Sequence, residues 1–347
     1  VLSHRNLVAN AKHSLIALGY TGEHRYLHAA PMFHAADGLS NYALTWVGGC
    51  HVIIPAFAPD MWSATVESEH VTHAVLVPTM INMVLNDPAT ADRDLSSLQL
   101  LAYGGSPMPG ELLRQSIEVL PCDFLQIYGM TEAGPVVSNL SPEDHRRGAA
   151  GEEPHATRLR SAGVPIVGVE AEVRRSDGTL AAVGEPGEIW VRGPNMMKGY
   201  WNRAEETAAA IDGDGWYHSG DAAYMDAEGY LYIVDRVKDM IVSGGENVYC
   251  AEVENAIYQH PAVLEAAVFG VPDEQWGECV HAAVVLKPGA VADQQAIVNR
   301  CRELIAGYKV PRSIEFHDEP LPKSGAGKLL KRELRKPHWD GHDRQVS

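Results

Sequence analysis

Lys328 closes the run Leu321-Pro322-Lys323-Ser324-Gly325-Ala326-Gly327-Lys328, a lysine after a glycine-rich turn. A flexible cation on such a loop can reach a phosphate or a developing oxyanion, and a solvated basic loop has the same composition. The run is not a P-loop: Pro322 takes the place of the first glycine, and no hydroxyl follows Lys328. Tyr128-Gly129-Met130-Thr131-Glu132 joins an aromatic face, a glycine, a hydroxyl and a carboxylate. That set suits a nucleotide carrying Mg²⁺, which takes few protein carboxylates and shares phosphate oxygens; an ordinary strand-end turn also fits. Tyr217-His218-Ser219-Gly220-Asp221 holds His, Ser and Asp too close in sequence for a triad, which is assembled from separate segments. Asp221 reads instead as an acceptor for ribose hydroxyls or as a turn residue. Gly104-Gly105-Ser106 starts like a nucleophile elbow, but Pro107 follows the serine and Met108 replaces the closing glycine. A serine hydrolase is therefore rejected.

The 16 histidines include Glu69-His70-Val71-Thr72-His73, whose spacing is wrong for a helical zinc motif. His34 stands apart because Pro31-Met32-Phe33-His34 leaves a strand toward the ligand edge of a sheet. Asp235-Arg236-Val237-Lys238-Asp239 reads as a charged hinge or a solvated run. Ser243-Gly244-Gly245-Glu246-Asn247 reads as a glycine pair open to another molecule or as a plain turn.

These residues need elements to hold them. Ser3 predicts the cap of a helix through about Leu18, ended by Gly19. Apolar runs at 26–30, 51–54, 74–77, 98–102 and 124–127 predict strands, with helices at 60–70 and 109–120 between them. Alternating β and α implies a mainly parallel sheet, whose ligands gather at the carboxyl ends of its strands. From about 160 to 235, short β runs at 170–174, 188–192 and 230–234 are split by Asp177-Gly178 and Glu228-Gly229, predicting an antiparallel subdomain. Beyond Asp235 come helices at 252–260 and 293–306 and strands at 266–269 and 281–286. The tail 317–347 reads as polar and basic, with no apolar face after Leu334.

The 347 residues suit two domains, and 46% hydrophobic residues supply a sizeable core. A net charge of −17 argues against nucleic acid or an anionic membrane over the whole face, and no apolar run is long enough to span a bilayer. Five widely spaced cysteines without a C-x-x-C read as reduced thiols of a cytoplasmic protein.

Taken in order, Pro31–His34, Gly104–Pro107, Tyr128–Glu132, Gly187-Glu188-Ile189 with Gly199-Tyr200-Trp201-Asn202, Ser219–Asp221, Asp235–Lys238, Ser243–Asn247 and Leu321–Lys328 resemble the adenylate-forming superfamily, above all its acyl-CoA synthetases. The resemblance runs from Val1 to about Arg335. It implies an α/β fold: a parallel-sheet subdomain (1–160) and a small β subdomain (161–235), together an incomplete large domain, followed by a mobile α+β C-terminal domain (236–347). It implies an ATP-dependent acid–CoA ligase that makes acyl-AMP and then acyl-CoA from a small-molecule carboxylic acid, with ATP, Mg²⁺ and CoA as cofactor and co-substrates. A medium- or long-chain fatty acid is the expected substrate.

By the same resemblance Lys328 is the catalytic lysine of adenylation, and Glu132 and Thr131 hold Mg²⁺ and phosphate. Gly104, Gly105, Ser106, Gln126, Tyr128, Gly129 and Met130 frame the nucleotide, and Asp221 and Arg236 hold its ribose. Lys238 is the hinge. His34 marks the junction of acyl pocket and thiol tunnel, and Tyr103, Gly129 and Val136 line the pocket. Ser243, Gly244, Gly245 and Trp276 meet CoA; Val310 stands where some ligases place a basic residue for the CoA phosphate, and Lys309 and Arg312 could substitute for it. The family's phosphate loop precedes the segment matched by Leu2–Asn6 and is absent here, which implies a C-terminal portion of a longer enzyme. Two rivals remain: a carrier-loading adenylation enzyme, and a truncated remnant that only binds AMP or CoA. An aspartate is usual in amino-acid-activating relatives where His34 stands, and it is missing here.

Overall fold

The computed structural model describes residues 1–38, 40–106, 108–236, 239–323 and 329–340. Pro107, Lys238 and the run 324–328 with Lys328 lie outside the described residues. The chain divides into two compact units, Val1–Ser219 with Ala223–Ile233, and Gly220–Ala222 with Val234–Ser347.

The first unit opens with α1 (His4–Leu18), where Ser3 and Asn6 form a reciprocal capping box and Gly19 closes the helix in the left-handed region at φ 65°. There follow β1 (Arg25–His28), α2 (Ala35–Gly38), α3 (Ser40–Val47), β2 (Cys50–Ile53), α4 (Pro59–Glu69), β3 (His73–Leu76), α5 (Pro78–Asn86), α6 (Pro88–Ala91), β4 (Leu100–Gly104), α7 (Gly110–Val119), β5 (Asp123–Gly129), β6 (Val136–Leu140), α8 (Pro142–Ala149), α9 (His155–Arg158) and β7 (Val164–Pro165). These strands make one sheet in the order β2-β1-β3-β4-β5-β6-β7. Pairing is parallel from β2 to β5 and antiparallel at β6 and β7.

Successive residues of a strand face opposite sides, so a sheet covered on both faces needs continuous apolar runs. Leu27, Leu76, Leu101, Tyr103 and Phe124 pack under α4, α5 and α7, around Trp62, Val66, Ile81 and Leu113. Their neighbours Tyr26, Val75, Leu100, Ala102 and Leu125 pack on the other face against Ala11, Leu18, Ala43 and Leu44 of α1 and α3.

Polar groups inside this unit are wired together. Asp37, fully buried, accepts from the Tyr26 hydroxyl at 2.7 Å and pairs with His28 Nδ1 at 2.9 Å. His145 donates from Nδ1 to the Ser141 carbonyl at 2.7 Å, so its Nε2 accepts from Tyr103 Oη at 2.8 Å. Burial holds His145 down at about 4 against an ordinary 6.5. The unfolded chain therefore binds this proton first, and stability falls as pH drops from 6.5 toward 4, by about 3 kcal/mol. His145→Gln, which keeps an acceptor for Tyr103, is expected to flatten the pH dependence of the urea midpoint in that window. An unchanged slope would move the acid sensitivity elsewhere.

A second sheet runs β11-β10-β9-β8, with β8 (Glu170–Arg174), β9 (Gly187–Arg192), β10 (Tyr217–Met225) and β11 (Leu231–Arg236); α10 (Ala204–Ala210) lies between β9 and β10. Gly178 and Gly229 take φ of 81° and 87° at the two expected turns. Tyr217–Asp221, read from sequence as a cluster with a turn residue, lies inside the nine-residue strand β10.

The second unit contains β12 (Ile241–Ser243), β13 (Glu246–Val248), α11 (Cys250–Tyr258), β14 (Val263–Asp273), β15 (Gly277–Leu286), α12 (Gln294–Leu304), β16 (Ser313–His317) and α13 (Lys331–Trp339). One face of its sheet packs Val268, Val280 and Val284 against Val253, Ile257, Ile297 and Val298 of α11 and α12. The opposite face packs Phe269, Val271 and Val285 against Leu321, Leu329 and Leu334. The tail is thus corrected: helix α13 lies on this second face, and Trp339 Nε1 donates to the Gly270 carbonyl at 2.9 Å. Lys331 ties the other end of the helix to Glu254 at 2.7 Å.

Candidate functional site

Parallel pairing of β4 with β5 sets Gly104 opposite Ile127, so the loops after both strands leave the same edge of the sheet. Gly104-Gly105-Ser106 and Gly129-Met130-Thr131-Glu132 are thereby brought together, as the carboxyl-end rule requires. The glycines here answer first to the chain itself. A Cβ on Gly104 would lie 2.2 Å from the Ile127 carbonyl oxygen, and one on Gly129 would lie 1.7 Å from that of Pro135. Gly105 takes φ 78°, in the region that favours glycine. We expect Gly129→Ala to lower unfolding free energy by about 1–3 kcal/mol, read from the urea midpoint. Wild-type stability would mean that Pro135 yields.

Past Gly129 the chain turns tightly. Met130 N–H donates to Pro135 at 2.9 Å, Gly134 N–H donates to Thr131 at 3.0 Å, and Thr131–Ala133 form one 3₁₀ turn. A segment some 65 residues later braces this turn. Asn195 Nδ2 donates to the Ala133 carbonyl at 2.5 Å, and Met197 N–H donates to the Glu132 carbonyl at 2.7 Å. Tyr200 Oη donates to Glu132 Oε1 at 3.0 Å. Glu132 Oε2 takes no hydrogen bond among the described residues. The half-buried carboxylate is therefore oriented and keeps an oxygen for a hard cation, and Thr131 beside it is exposed. The roles of Asn195 and Tyr200 were not read from sequence. Tyr200 has one signal, the matched segment Gly199-Tyr200-Trp201-Asn202, and Asn195 lies outside it.

His34 is exposed, and its Nδ1 accepts from Ala36 N–H at 3.3 Å at the start of α2. Gln126 is half-buried on β5. Tyr128 is 9% exposed and packs with Val137 and Ile166, so most of its ring is already covered. Tyr103 and Val136, expected in an acyl pocket, are 0% and 4% exposed and belong to core clusters.

In the second unit, Arg236 Nε meets Asp221 Oδ1 at 2.8 Å, so the two residues expected at a ribose are neighbours. Ser243, Gly244, Gly245 and Trp276 also come together. Ser243 pairs with Gly277, and Gly244 N–H donates to the Trp276 carbonyl at 2.9 Å. Gly244 takes φ 61°, and a Cβ there would lie 2.5 Å from the indole. The Arg312 guanidinium sits 5.0 Å from the centre of the Trp276 ring. Lys309, the other residue expected near the CoA phosphate, has its ammonium held by both Glu252 oxygens at 2.7 and 2.8 Å.

Known proteins resemble the chain along nearly its whole length. Residues 1–201 match the AMP-binding enzyme family, and residues 252–328 match the AMP-binding enzyme C-terminal domain. Feruloyl-CoA synthase of an Amycolatopsis species is 43% identical over 338 residues, covering 97% of this chain and 66% of that one. The medium/long-chain-fatty-acid–CoA ligase FadD8 of Mycobacterium tuberculosis is 38% identical, covering 93% of this chain and 56% of that one. The solved o-succinylbenzoate CoA synthetase MenE of Bacillus subtilis, in complex with its acyl-adenylate intermediate, superimposes with a TM-score of 0.86 at 34% identity, covering 96% of this chain and 65% of that one. The chain thus spans about two thirds or less of the length of these relatives. Among the described residues, no helix is long and apolar enough to cross a membrane.

Proposed function

Because the chain belongs to the AMP-binding enzyme family, we propose that the protein carrying it is an ATP-dependent acid–CoA ligase, which forms acyl-AMP and then acyl-CoA. The observation that supports this best is the meeting of Gly104–Ser106 with Gly129–Glu132 at the carboxyl ends of adjacent parallel strands, with Glu132 oriented by Tyr200.

In the first half-reaction the acid's carboxylate oxygen attacks the α-phosphorus of ATP, and pyrophosphate leaves. Gly104, Gly105, Ser106, Gln126, Tyr128, Gly129 and Met130 would frame the nucleotide at the sheet edge. Asp221 and Arg236 would hold the ribose, the carboxylate accepting from its hydroxyls. Glu132 and Thr131 would hold Mg²⁺, which supplies charge neutralisation at the phosphates. Lys328 would stabilise the charge that collects between carboxylate and phosphate. In the second half-reaction the CoA thiol attacks the acyl carbon and AMP leaves. Ser243, Gly244, Gly245 and Trp276 would receive CoA, His34 would stand at the entry of the thiol, and Lys238 would carry the hinge between the two half-reactions. Compartment and oligomeric state have no bearing on these steps; a cytoplasmic enzyme suits them.

The acid is proposed only as a carboxylic acid. Relatives named for feruloyl and for medium/long-chain fatty acyl groups are similarly distant, so the fatty acid becomes one arm of the test. The complete protein is incubated with ATP, Mg²⁺, CoA and a panel of fatty, aryl and amino acids, and AMP and thioesters are counted by mass spectrometry. One acyl-CoA rising in step with AMP is expected. AMP without any thioester would replace this reading with a carrier-loading enzyme, and no product would favour a binding remnant.

A further inference from the structure

Three imidazoles converge on one carboxylate in the second unit, and none of the four residues has a part in the ligase reading. β15 and β16 pair in parallel with His281 beside Ser313, Ala283 beside Glu315 and Val285 beside His317. Alternation puts Glu315 and His317 on the face that α13 covers, and α13 brings His338. His281 Nε2 stands 3.8 Å and His338 Nε2 3.7 Å from Glu315 Oε2, while His317 Nε2 is 3.5 Å from Oε1. The ligand atoms of His281, Glu315 and His338 all lie within 4.8 Å of one another.

The two contacts to Oε2 are too long for hydrogen bonds, and His317 Nε2 near Oε1 is buried without a hydrogen-bond partner. His281 is only 5% exposed, and its Nε2 is buried without a hydrogen-bond partner, a costly arrangement unless something else fills the gap. Its Nδ1 is 2.7 Å from Ser313 Oγ, which can accept that proton and leave the lone pair on Nε2. Tetrahedral zinc with bonds of about 2.0–2.1 Å spaces its ligands about 3.3 Å apart, so closing the site takes a contraction of about 0.5 Å on each histidine–Glu315 pair and of up to about 1.5 Å across the set, which side-chain rotation about exposed Glu315 and half-buried His338 can supply. Glu315 is half exposed and offers an entry path.

We propose that His281, Glu315 and His338 bind a divalent cation of the Zn²⁺ class, with His317 standing beside the second Glu315 oxygen. Two nitrogens and one carboxylate oxygen suit borderline metals such as Zn²⁺ or Co²⁺ better than Mg²⁺ or Ca²⁺. The ion would clamp α13 to β15 and β16.

The test is equilibrium dialysis of the full chain against Zn²⁺, with Co²⁺ as a visible probe. One ion per chain is expected, with a Co²⁺ d–d band and no thiolate charge-transfer band. Glu315→Gln and His338→Ala are each expected to weaken binding by about tenfold or more. Both positions are partly exposed, and circular dichroism checks the fold; should His338→Ala release the helix, Glu315→Gln still decides. No binding at micromolar Zn²⁺, or binding that both variants leave unchanged, would overturn the proposal, the latter by placing the ion at other residues.

Discussion

Replacing Lys328 with alanine is expected to slow acyl-adenylate formation by about 10²–10³-fold, while a supplied acyl-adenylate still passes its acyl group to CoA. The asymmetry follows from where charge gathers. Carboxylate and α-phosphate are both anionic when they meet, and a cation between them acts mainly as the new bond forms. In the second half-reaction the thiol attacks the acyl carbon and the departing AMP phosphate gains its second charge as the carbon–oxygen bond breaks, but no two anions have to be brought together, so the same cation matters less. The described residues on either side argue that the substitution is local. Lys323 pairs with Glu265 and forms a bridge with Leu329, Leu330 N–H donates to Pro322 at 2.8 Å, and Lys331 holds Glu254 at 2.7 Å. These contacts belong to residues 322–323 and 329–331 and are made by side chains and main chain other than those of residue 328. Lys328→Arg is not a neutral control, because a planar fork replaces a compact point charge. Pyrophosphate exchange measures the first step, and thioester formation from synthetic acyl-AMP measures the second. Equal loss of both would remove the assigned role.

What could be read from the sequence was local or periodic. Ser3 and Gly19 bound α1 because a cap and a left-handed glycine act within one turn. The runs 74–77 and 124–127 found β3 and β5 because strands covered on both faces are continuously apolar. β10 was missed because Ser219-Gly220-Asp221 interrupts it with residues of low strand propensity, and pairing with neighbouring strands overrides that preference. The hairpin β14–β15 outran its predicted ends for the same reason: a ladder from Val263 to Leu286 carries Gly270 and Pro272 along. Helix α13 has no apolar stripe and contains Pro337, so nothing periodic announced it. The candidate site divides in the same way. Gly129–Glu132 is contiguous and legible, whereas its brace joins Glu132 to Tyr200 across 68 positions. Glu315 with its three histidines gathers two strands and a helix, and no spacing rule describes that set.

Glu132 carries the second large effect. Glu132→Gln keeps the size of the side chain and an oxygen able to accept from Tyr200, and removes the charge. The backbone brace is untouched, since Met197 donates to the main-chain carbonyl of residue 132 and Asn195 to that of Ala133. Folding should therefore survive, and thermal denaturation checks it. A hard cation that prefers anionic oxygen would bind the amide poorly. Adenylation at a fixed Mg²⁺ concentration is then expected to fall by about 10²-fold, with the Mg²⁺ concentration for half-maximal rate moving upward. Tyr200→Phe separates charge from orientation: the carboxylate remains and its 3.0 Å hydrogen bond is lost. That variant is expected to lose about tenfold, the lower range for removing an outer partner of a metal ligand. Initial rates of pyrophosphate exchange across a Mg²⁺ series give both numbers. A Glu132→Gln rate that falls without any change in its Mg²⁺ dependence would detach Glu132 from the cation. A Tyr200→Phe loss as large as that of Glu132→Gln would mean that orientation, not charge, is what this carboxylate contributes.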